Sequence, residues 1–312
     1  MDSADTASLG AHSMDRVGLK GRGFRAALLP YLLLAPALVF LCAFTYWPLL
    51  QALLSSLSSK RRFNDVDAFA GLDNYARLFG DSDFQDAALN NLVYALGTTI
   101  PSIVLALFFA LALRRSTRVN SILRSVFFFP TLVPLVAASA LFLFILMPDI
   151  GLLDHYLQKF GARSVNWIGD PDIALISLMG LTVWKNAGYY MLFFLAGLQG
   201  VSQDAEEAAI IEGANRLQRL WYVILPLLAP TTAFVVVIAL INSVTQVDHV
   251  IVMTQGGPNN ATNLLLYYIY QQAHETYDLG KATAATVATL AVLLAISLTS
   301  LRTMERGIHY EK

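Results

Sequence analysis

The chain has 312 residues, of which 56% are hydrophobic and 14% are charged, and its formal net charge is −1. Soluble domains carry roughly a quarter charged residues, so this composition excludes an ordinary soluble protein and favours an integral membrane protein. The sequence contains no basic stripe with interleaved aromatic residues, which would indicate nucleic-acid binding. It also contains no phosphate-binding loop of the type G-x-x-x-x-G-K-[ST]. The single cysteine, Cys42, excludes a disulfide bond within the chain.

Six apolar windows follow one another along the chain, and their only charged residue is Lys185. They cover residues 26–59, 87–113, 125–148, 173–203, 220–247 and 282–301. Because a helix of about 20 apolar residues crosses the hydrocarbon core of a bilayer, each window predicts a transmembrane helix. The first window is too long for the core of a cleaved signal peptide, which has about 7–15 residues. The predicted fold class is an all-α integral membrane protein with six transmembrane helices.

The predicted helices alternate with external segments and cytoplasmic loops. The helices cover about 26–48, 90–113, 122–147, 173–198, 227–248 and 280–301, and the first extends to 57 if its polar end stays helical. The external segments are 58–88, 149–171 and 249–279, and the long cytoplasmic loop is 199–225.

Lysine and arginine are distributed unevenly between the two sides of this topology. Thirteen lie on the side of the N-terminus and seven on the other side, although the cluster at 60–62 lies among the seven. Since positively charged loops remain cytoplasmic, both termini are predicted to be cytoplasmic. The predicted organisation is a disordered N-terminus at 1–24, a transmembrane domain at 25–304 and a cytoplasmic tail at 305–312.

The cytoplasmic loop has the sequence features of two short helices. Asp204 and Glu207 have the spacing of a capping box, which predicts a helix over 205–212. Gly213 suits a left-handed C-terminal cap, and a second short helix is predicted over 215–222. The chemistry alone leaves two interpretations, an amphipathic connector or a surface on which a partner protein docks.

The same loop carries a longer pattern: Glu-Ala-Ala at 207–209, a glycine after three more residues, and an aliphatic-x-Leu-Pro group after nine more. This spacing resembles the coupling loop of permeases from ATP-binding-cassette (ABC) importers, which docks in a cleft of the ATPase. Two positions depart mildly, because Glu212 stands where aspartate is usual and Leu220 where phenylalanine is common. The resemblance assigns ATPase coupling to Glu207, Ala208, Ala209, Glu212, Gly213, Arg216, Leu225 and Pro226, with Pro226 in the first turn of the fifth helix.

Two further stretches, 183–199 and 248–270, resemble the carbohydrate branch of that family. The similarity covers roughly 26–310 and is closest to the first of the two permease subunits used for maltose-type sugars and glycerol-3-phosphate. The ending Glu305–Tyr310 is most similar to the glycerol-3-phosphate type.

The resemblance implies the permease fold of ABC type I importers and a non-enzymatic subunit of the bacterial inner membrane. It would translocate a sugar or sugar-like polyol, glycerol-3-phosphate among them, by alternating access. The implied partners are a second homologous permease subunit, two ATPase subunits and an extracytoplasmic solute-binding protein. No cofactor is expected in this chain, because ATP and Mg²⁺ would be bound by the partner ATPase.

Polar residues inside the fourth and fifth predicted helices suggest a substrate pathway, since ionisable groups in a bilayer are costly and commonly functional. Aromatic rings would stack on a sugar, amides would bind its hydroxyls, and Lys185 would bind an anionic group or pair with Asp248. Interhelical hydrogen bonds of about 0.6 kcal/mol each are the plain alternative. Asn242 and Gln246 are predicted to share a helical face. The candidate pathway residues are Trp184, Lys185, Asn186, Tyr189, Asn242, Gln246 and Asp248.

Gly256, Gly257 and Pro258 form either a turn after the fifth helix or a contact for the binding protein. The histidines have no ligand-like spacing, so no metal site is predicted. The rival interpretation of the chain is an ion-coupled secondary transporter with Lys185 and Asp248 as its coupling pair. A membrane-embedded enzyme is disfavoured, because no catalytic arrangement of histidine or acidic residues is present.

Overall fold

A computed structural model describes residues 24–59 and 68–307, with side chains for 31–59 and 68–300. Within these ranges the chain is helical, and its only extended pairing is a single bridge between Ser58 and Phe69. Three predicted features lie mostly or wholly outside the described residues: the N-terminal segment at 1–24 except its last residue, the basic cluster at 60–62, and most of the tail at 305–312.

The chain divides into two units, residues 1–51 and 52–312. The described part of the first unit is one continuous helical rod, in which a π-helical turn interrupts the α-helix. Between 31 and 51 no side chain is buried, as expected of an apolar helix that needs lipid or a partner around it. Its elements are α1 (Phe24–Leu41), the π-turn (Cys42–Tyr46) and the start of α2 (Trp47–Ser56).

In the second unit, α3 (Asp73–Phe79) precedes the long helix α4 (Ser82–Ala112). The Asp81 side chain caps α4 by accepting a hydrogen bond from the Asp83 amide at 3.1 Å. The helix predicted to start near residue 90 therefore begins eight residues earlier. Asp83 and Asp86, which fall within the predicted external segment 58–88, lie in the first turns of α4, where negative charge is favourable.

The third predicted helix is broken in two, so the prediction of one continuous helix over 122–147 is wrong. Helix α5 (Arg118–Leu132) and helix α6 (Leu135–Ile145) meet at an angle of 97°. Pro134 causes the break, because the residue before a proline is disfavoured in the helical region. Val133 accordingly adopts φ −73°, ψ 128°.

Helix α8 (Pro171–Gln199) follows the short helix α7 (Leu152–Lys159). Asp170 caps α8 with a 3.0 Å hydrogen bond from the Asp172 amide. α8 packs along α4 and against α5 and α12. A Cβ atom added at Gly188 would lie 1.8 Å from the Phe127 carbonyl oxygen, so only glycine permits this close approach of α5 and α8.

The remaining helices extend from the predicted coupling loop toward the C-terminus. The fifth predicted helix ends at Thr245, and the external loop predicted at 249–279 contains two helices that the sequence did not reveal. The elements are α9 (Gln203–Ile211), α10 (Arg216–Arg219), a π-turn (Leu220–Ile224), α11 (Leu225–Leu227), α12 (Ala229–Thr245), α13 (Asp248–Met253), α14 (Leu265–His274) and α15 (Leu279–Gly307).

The core of the second unit lies where α8 meets α4 and α12, around Tyr190, Phe194 and Leu228. Within the described residues, four segments are long and apolar enough to cross a bilayer, and the bent α5–α6 pair adds a fifth if it counts as one span. Helix α8 has 29 residues, but Lys185 and Asn186 interrupt its apolar sequence. The count of six spans and the cytoplasmic placement of both termini stay predictions. The four segments are Tyr31–Ser56, Ser82–Ala112, Ala229–Met253 and Leu279–Ser300.

Candidate functional site

The predicted coupling loop begins with α9, and its N-cap differs from the prediction. The Ser202 hydroxyl accepts a 3.4 Å hydrogen bond from the Ala205 amide. The capping box of Asp204 and Glu207 is therefore wrong, because Ser202 supplies the cap two residues earlier. Asp204 lies in the first turn of α9, where its charge favours the helix without capping it.

The turn after α9 is fixed by its backbone hydrogen bonds. Gly213 has φ +83°, as the predicted left-handed cap requires. Its amide donates to the Ile210 carbonyl at 3.0 Å, and the Ala214 amide donates to the Ala209 carbonyl at 2.9 Å. These two bonds form a Schellman motif, which satisfies carbonyl groups at the end of the helix.

The second half of the loop is a short helix that runs on toward the membrane. Asn215 and Gln218 form a reciprocal capping box, with hydrogen bonds of 2.9 and 2.8 Å. α10, the π-turn and α11 are continuous, and Leu228 then separates them from α12. Pro226 therefore lies in α11 rather than in the first turn of the long fifth helix.

The loop is exposed, and its apolar side chains are conspicuous. Of the predicted coupling residues, Ala209 and Leu225 are half-buried, whereas the others, including Glu207 and Gly213, are exposed. Ile211 is 87% exposed and Tyr222 is 79% exposed, and Leu217 and Trp221 are also exposed. Large apolar side chains at this density are typical of a protein contact. Sequence reasoning missed these four residues, although their apolar character in a polar loop was visible.

An ion pair ties α9 to the loop between α4 and α5. Arg114 Nη1 lies 2.6 Å from Glu206 Oε1, and both side chains are partly buried. Arg124 holds that loop by donating to the carbonyl groups of Leu113, Arg114 and Arg115. The ion pair and these hydrogen bonds connect α9, through this loop, to the ends of α4 and α5. The sequence analysis assigned a role to Glu207 and overlooked Glu206.

Lys185 lies at the break between α5 and α6, with a side chain only 8% exposed. Its Nζ donates to the carbonyl groups of Pro130 at 3.4 Å, Thr131 at 3.1 Å and Val133. The predicted pairing with Asp248 is wrong, because Asp248 is exposed in the first turn of α13. The broken helix leaves carbonyl groups without amide donors, and Lys185 satisfies them.

A polar group connects α8 with α12. Asn242 donates to the Tyr190 hydroxyl at 3.2 Å, and the neighbouring Tyr189 ring packs edge-on against Phe193. Gln246 has extended backbone angles, φ −95° and ψ 120°, after the end of α12. The prediction that Asn242 and Gln246 share a helical face is therefore wrong.

The remaining pathway candidates lie on different sides of α8. Trp184 is 39% exposed, packs against Phe142, and lines an apolar cavity of about 660 Å³ with Phe127. Asn186 is buried one turn before Tyr190. Thus this chain does not assemble the seven predicted pathway residues into one cavity.

One buried polar cluster escaped the sequence analysis. The Tyr94 hydroxyl lies 2.5 Å from Thr182 Oγ1 and 2.8 Å from His249 Nε2, which joins α4, α8 and α13. All three side chains are buried. The separation of these residues in sequence left no local pattern that could have revealed the cluster.

The Gly256–Pro258 loop is closed by its own hydrogen bonds. Thr262 Oγ1 donates to the Gly257 carbonyl at 2.6 Å, and Gly256 is buried with φ +77°. A Cβ atom at Gly256 would lie 2.6 Å from the Tyr267 ring, so this glycine serves the packing of the turn. Asn259 and Asn260 form its exposed tip.

Beside this loop, Asp81 binds elements that are distant in sequence. Its Oδ2 accepts hydrogen bonds from Lys281 Nζ at 2.6 Å and the Tyr268 hydroxyl at 2.8 Å. Burial raises the pKa of Asp81, but the hydrogen bonds from Lys281 and Tyr268 outweigh it and hold the pKa below its usual value. The ionised carboxylate therefore stabilises the packing of the start of α4 against α14 and α15.

Residues 102–306 match the family of binding-protein-dependent transport system inner membrane components. This chain belongs to that family. The permease is 32% identical over 289 residues to the sn-glycerol-3-phosphate transport system permease protein UgpA of Escherichia coli (strain UTI89 / UPEC), with 92% of this chain and 98% of that protein covered. It is 31% identical over 290 residues to UgpA of Agrobacterium fabrum (strain C58 / ATCC 33970), with the same coverage.

Solved structures share the fold of the permease. A bacterial ABC transporter involved in the import of the acidic polysaccharide alginate has a TM-score of 0.78 at 22% identity, with 92% of this chain and 98% of that chain covered. A bacterial alginate ABC transporter in complex with alginate pentasaccharide-bound periplasmic protein has a TM-score of 0.79 at 21% identity, with 90% and 96% covered. The predicted all-α fold of an ABC importer permease is confirmed.

Membership of the family places the permease in the inner membrane as a transport component that depends on a binding protein. It also confirms a permease subunit rather than an enzyme. The rival secondary transporter is not favoured, because its coupling pair of Lys185 and Asp248 does not form. The roles assigned to individual site residues stay predictions.

Proposed function

We propose that the permease is the first of two permease subunits in an ATP-driven importer of small polyol phosphates and related sugars, with glycerol-3-phosphate as the preferred cargo. Two partner ATPase subunits bind ATP and Mg²⁺ and engage the loop from Gln203 to Tyr222. A homologous permease completes the pathway, and an extracytoplasmic binding protein delivers the cargo.

The observation that carries the proposal is the construction of the coupling loop. Its two helices are capped at both ends of the Gly213 turn, so a force applied to α9 is transmitted instead of being absorbed by loop bending. The ion pair between Arg114 and Glu206 passes that force to α4, and the continuous segment through α11 passes it toward α12. The exposed Ile211 and Tyr222 supply the apolar anchors of the contact.

In the pathway, the polar groups of α8 and α12 are proposed to bind cargo hydroxyls. Asn242 and Tyr190 already form a hydrogen-bonded pair, and Tyr189 beside them offers a ring face. Lys185 is engaged by three carbonyl groups, so the anionic group of the cargo is proposed to bind elsewhere. The two relatives described above are sn-glycerol-3-phosphate transport system permease proteins, and this supports glycerol-3-phosphate as the cargo.

The test is ATP hydrolysis by the complex purified through this chain and reconstituted with its binding protein. Glycerol-3-phosphate, glycerol and maltose-type sugars are compared for the wild type and for Glu207→Lys and Gly213→Asp. Glu275→Lys is the matched control, since Glu275 is also exposed, lies just after α14 outside the coupling loop, and undergoes the identical charge change.

We expect glycerol-3-phosphate to stimulate hydrolysis in the wild type and in Glu275→Lys, and the two loop variants to lose this stimulation. Stimulation by a neutral sugar alone would overturn the proposed cargo while leaving the coupling loop intact. Loop variants that hydrolyse ATP and transport like the wild type would overturn the coupling role.

A further inference from the structure

A cavity of about 490 Å³ lies beside the start of α9 and the end of α8. Its volume lies within the roughly 300–1,000 Å³ of small-ligand sites. Two arginines and two glutamines supply its polar lining, and within the described part of the chain no Asp or Glu lines it. The polar residues are Arg114, Arg124, Gln199 and Gln203.

Both arginines keep donors that the protein does not use. Arg114 forms its ion pair with Glu206 through Nη1, whereas Arg124 donates hydrogen bonds from Nε and Nη2 to backbone carbonyl groups. No hydrogen bond from Arg114 Nε, Arg114 Nη2 or Arg124 Nη1 reaches any residue in the described ranges. Guanidinium groups with spare donors match the oxygen atoms of phosphate in a bidentate manner.

The cavity also lies at the boundary between the membrane helices and the cytoplasmic loops. Arg114 follows the apolar C-terminal end of α4, and Arg124 lies two turns into α5. Basic pockets between helices at this level bind the phosphate groups of anionic lipids, and free anions reach the same pocket from the cytoplasm.

We propose that this cavity binds a phosphate group, carried by the headgroup of an anionic lipid or by inorganic phosphate, and that the negative charge of the bound group weakens the attraction between Arg114 and Glu206. A phosphate group bound in the cavity would weaken the ion pair that connects α9 with the loop after α4. It would therefore reduce the coupling of α9 to the membrane helices. The site is separate from the cargo pathway, and its binding test does not depend on the proposed function.

The test measures binding to the full-length chain with the subunits that copurify. In one arm, native mass spectrometry counts retained phosphatidylglycerol against phosphatidylcholine. In the other arm, equilibrium dialysis with radiolabelled inorganic phosphate is carried out in zwitterionic nanodiscs at constant ionic strength. The variants are Arg114→Gln, Glu206→Gln and the matched control Arg115→Gln, whose exposed side chain lies in the same loop outside the cavity.

We expect Arg114→Gln to weaken binding of at least one probe about tenfold, the effect of losing one charge-assisted interaction. Glu206→Gln should strengthen binding several-fold, because it removes a neighbouring carboxylate that repels the bound anion, and a merely structural role for Arg114 would not produce this gain. Arg115→Gln should leave binding unchanged.

The probe that responds identifies the lipid or the free anion as the source. If Arg114→Gln fails to assemble, Arg114→Lys keeps the charge but loses the bidentate geometry and should also weaken binding. Failure of both probes to bind the wild type, or an equal loss in Arg115→Gln, would overturn the proposal.

Discussion

Lys185 provides the sharpest prediction, because its structural role and its suggested role as a cargo ligand give opposite results. Replacing Lys185 with methionine keeps the length of the side chain but leaves the carbonyl groups of Pro130, Thr131 and Val133 without their donor. Each unsatisfied buried polar group costs about 1–3 kcal/mol. Relaxation at the break recovers part of this energy, so we expect a total loss of about 2–4 kcal/mol.

The assay is thermal unfolding of the purified permease, followed by transport measurements on the same preparations. At about 2–4 °C for each kcal/mol, Lys185→Met should lower the apparent melting temperature by several degrees. Lys159→Met is the control, since Lys159 is an exposed lysine of α7 and its loss should cost under about 0.5 kcal/mol. Lys185→Arg should restore part of the stability, because a guanidinium group donates to the same carbonyl groups.

The reasoning would be refuted if Lys185→Met melted like the wild type. It would also be refuted if the same variant lost transport of phosphorylated cargo while transporting neutral cargo normally. That pair of results would make Lys185 a ligand of the anionic group, and the carbonyl groups at the break would then need another partner.

Three further predictions concern packing, coupling and pH. Gly188→Ala should destabilise the permease by about 1–3 kcal/mol or prevent its assembly, because the added Cβ overlaps the α5 backbone. The measurement is thermal unfolding of the purified permease, and the control is Gly180→Ala, because the Cβ position of Gly180 has open space around it. Arg114→Glu should impair coupled transport, and the double variant with Glu206→Arg should recover it, because the ion pair re-forms with reversed charges. A double variant without recovered transport would contradict the role of this ion pair in coupling. Because the pKa of Asp81 is lowered in the folded protein, its contribution to stability is present above about pH 4 and is lost as the pH falls through that lowered pKa. The melting temperature of Asp81→Asn should therefore lack this part of the dependence on acid pH. The same dependence of melting temperature on pH in the variant and the wild type would contradict the prediction.

Periodicity and composition predicted most of the membrane helices, because an uncharged apolar window of about 20 residues is typical of a helix that crosses a bilayer. The same signal could not show the break at Val133, since the window at 125–148 is apolar on both sides of Pro134. A proline inside a transmembrane helix is compatible with either a mild kink or a sharp break. The packing of α5 against α8, with Gly188 against the Phe127 backbone and Lys185 at the carbonyl groups of the bend, accompanies the sharp break.

The Gly213 turn in the predicted coupling loop was predictable because its determinants are local. Gly213 adopts the expected left-handed conformation, since a helix end and its cap lie within a few residues of each other. The partners of Lys185, by contrast, are more than fifty residues away in sequence. The pair of Arg114 and Glu206 and the cluster of Tyr94 with His249 are also long-range contacts, which a single sequence does not reveal.

The most direct test of the coupling role is photocrosslinking from a single position of α9. A photoreactive amino acid replaces Ala208, which is exposed in the predicted coupling loop, or Glu275, which is exposed just after α14. We predict that Ala208 crosslinks to the ATPase subunit of the purified complex and that Glu275 does not. An intact complex in which Ala208 gives no ATPase adduct would contradict the central claim.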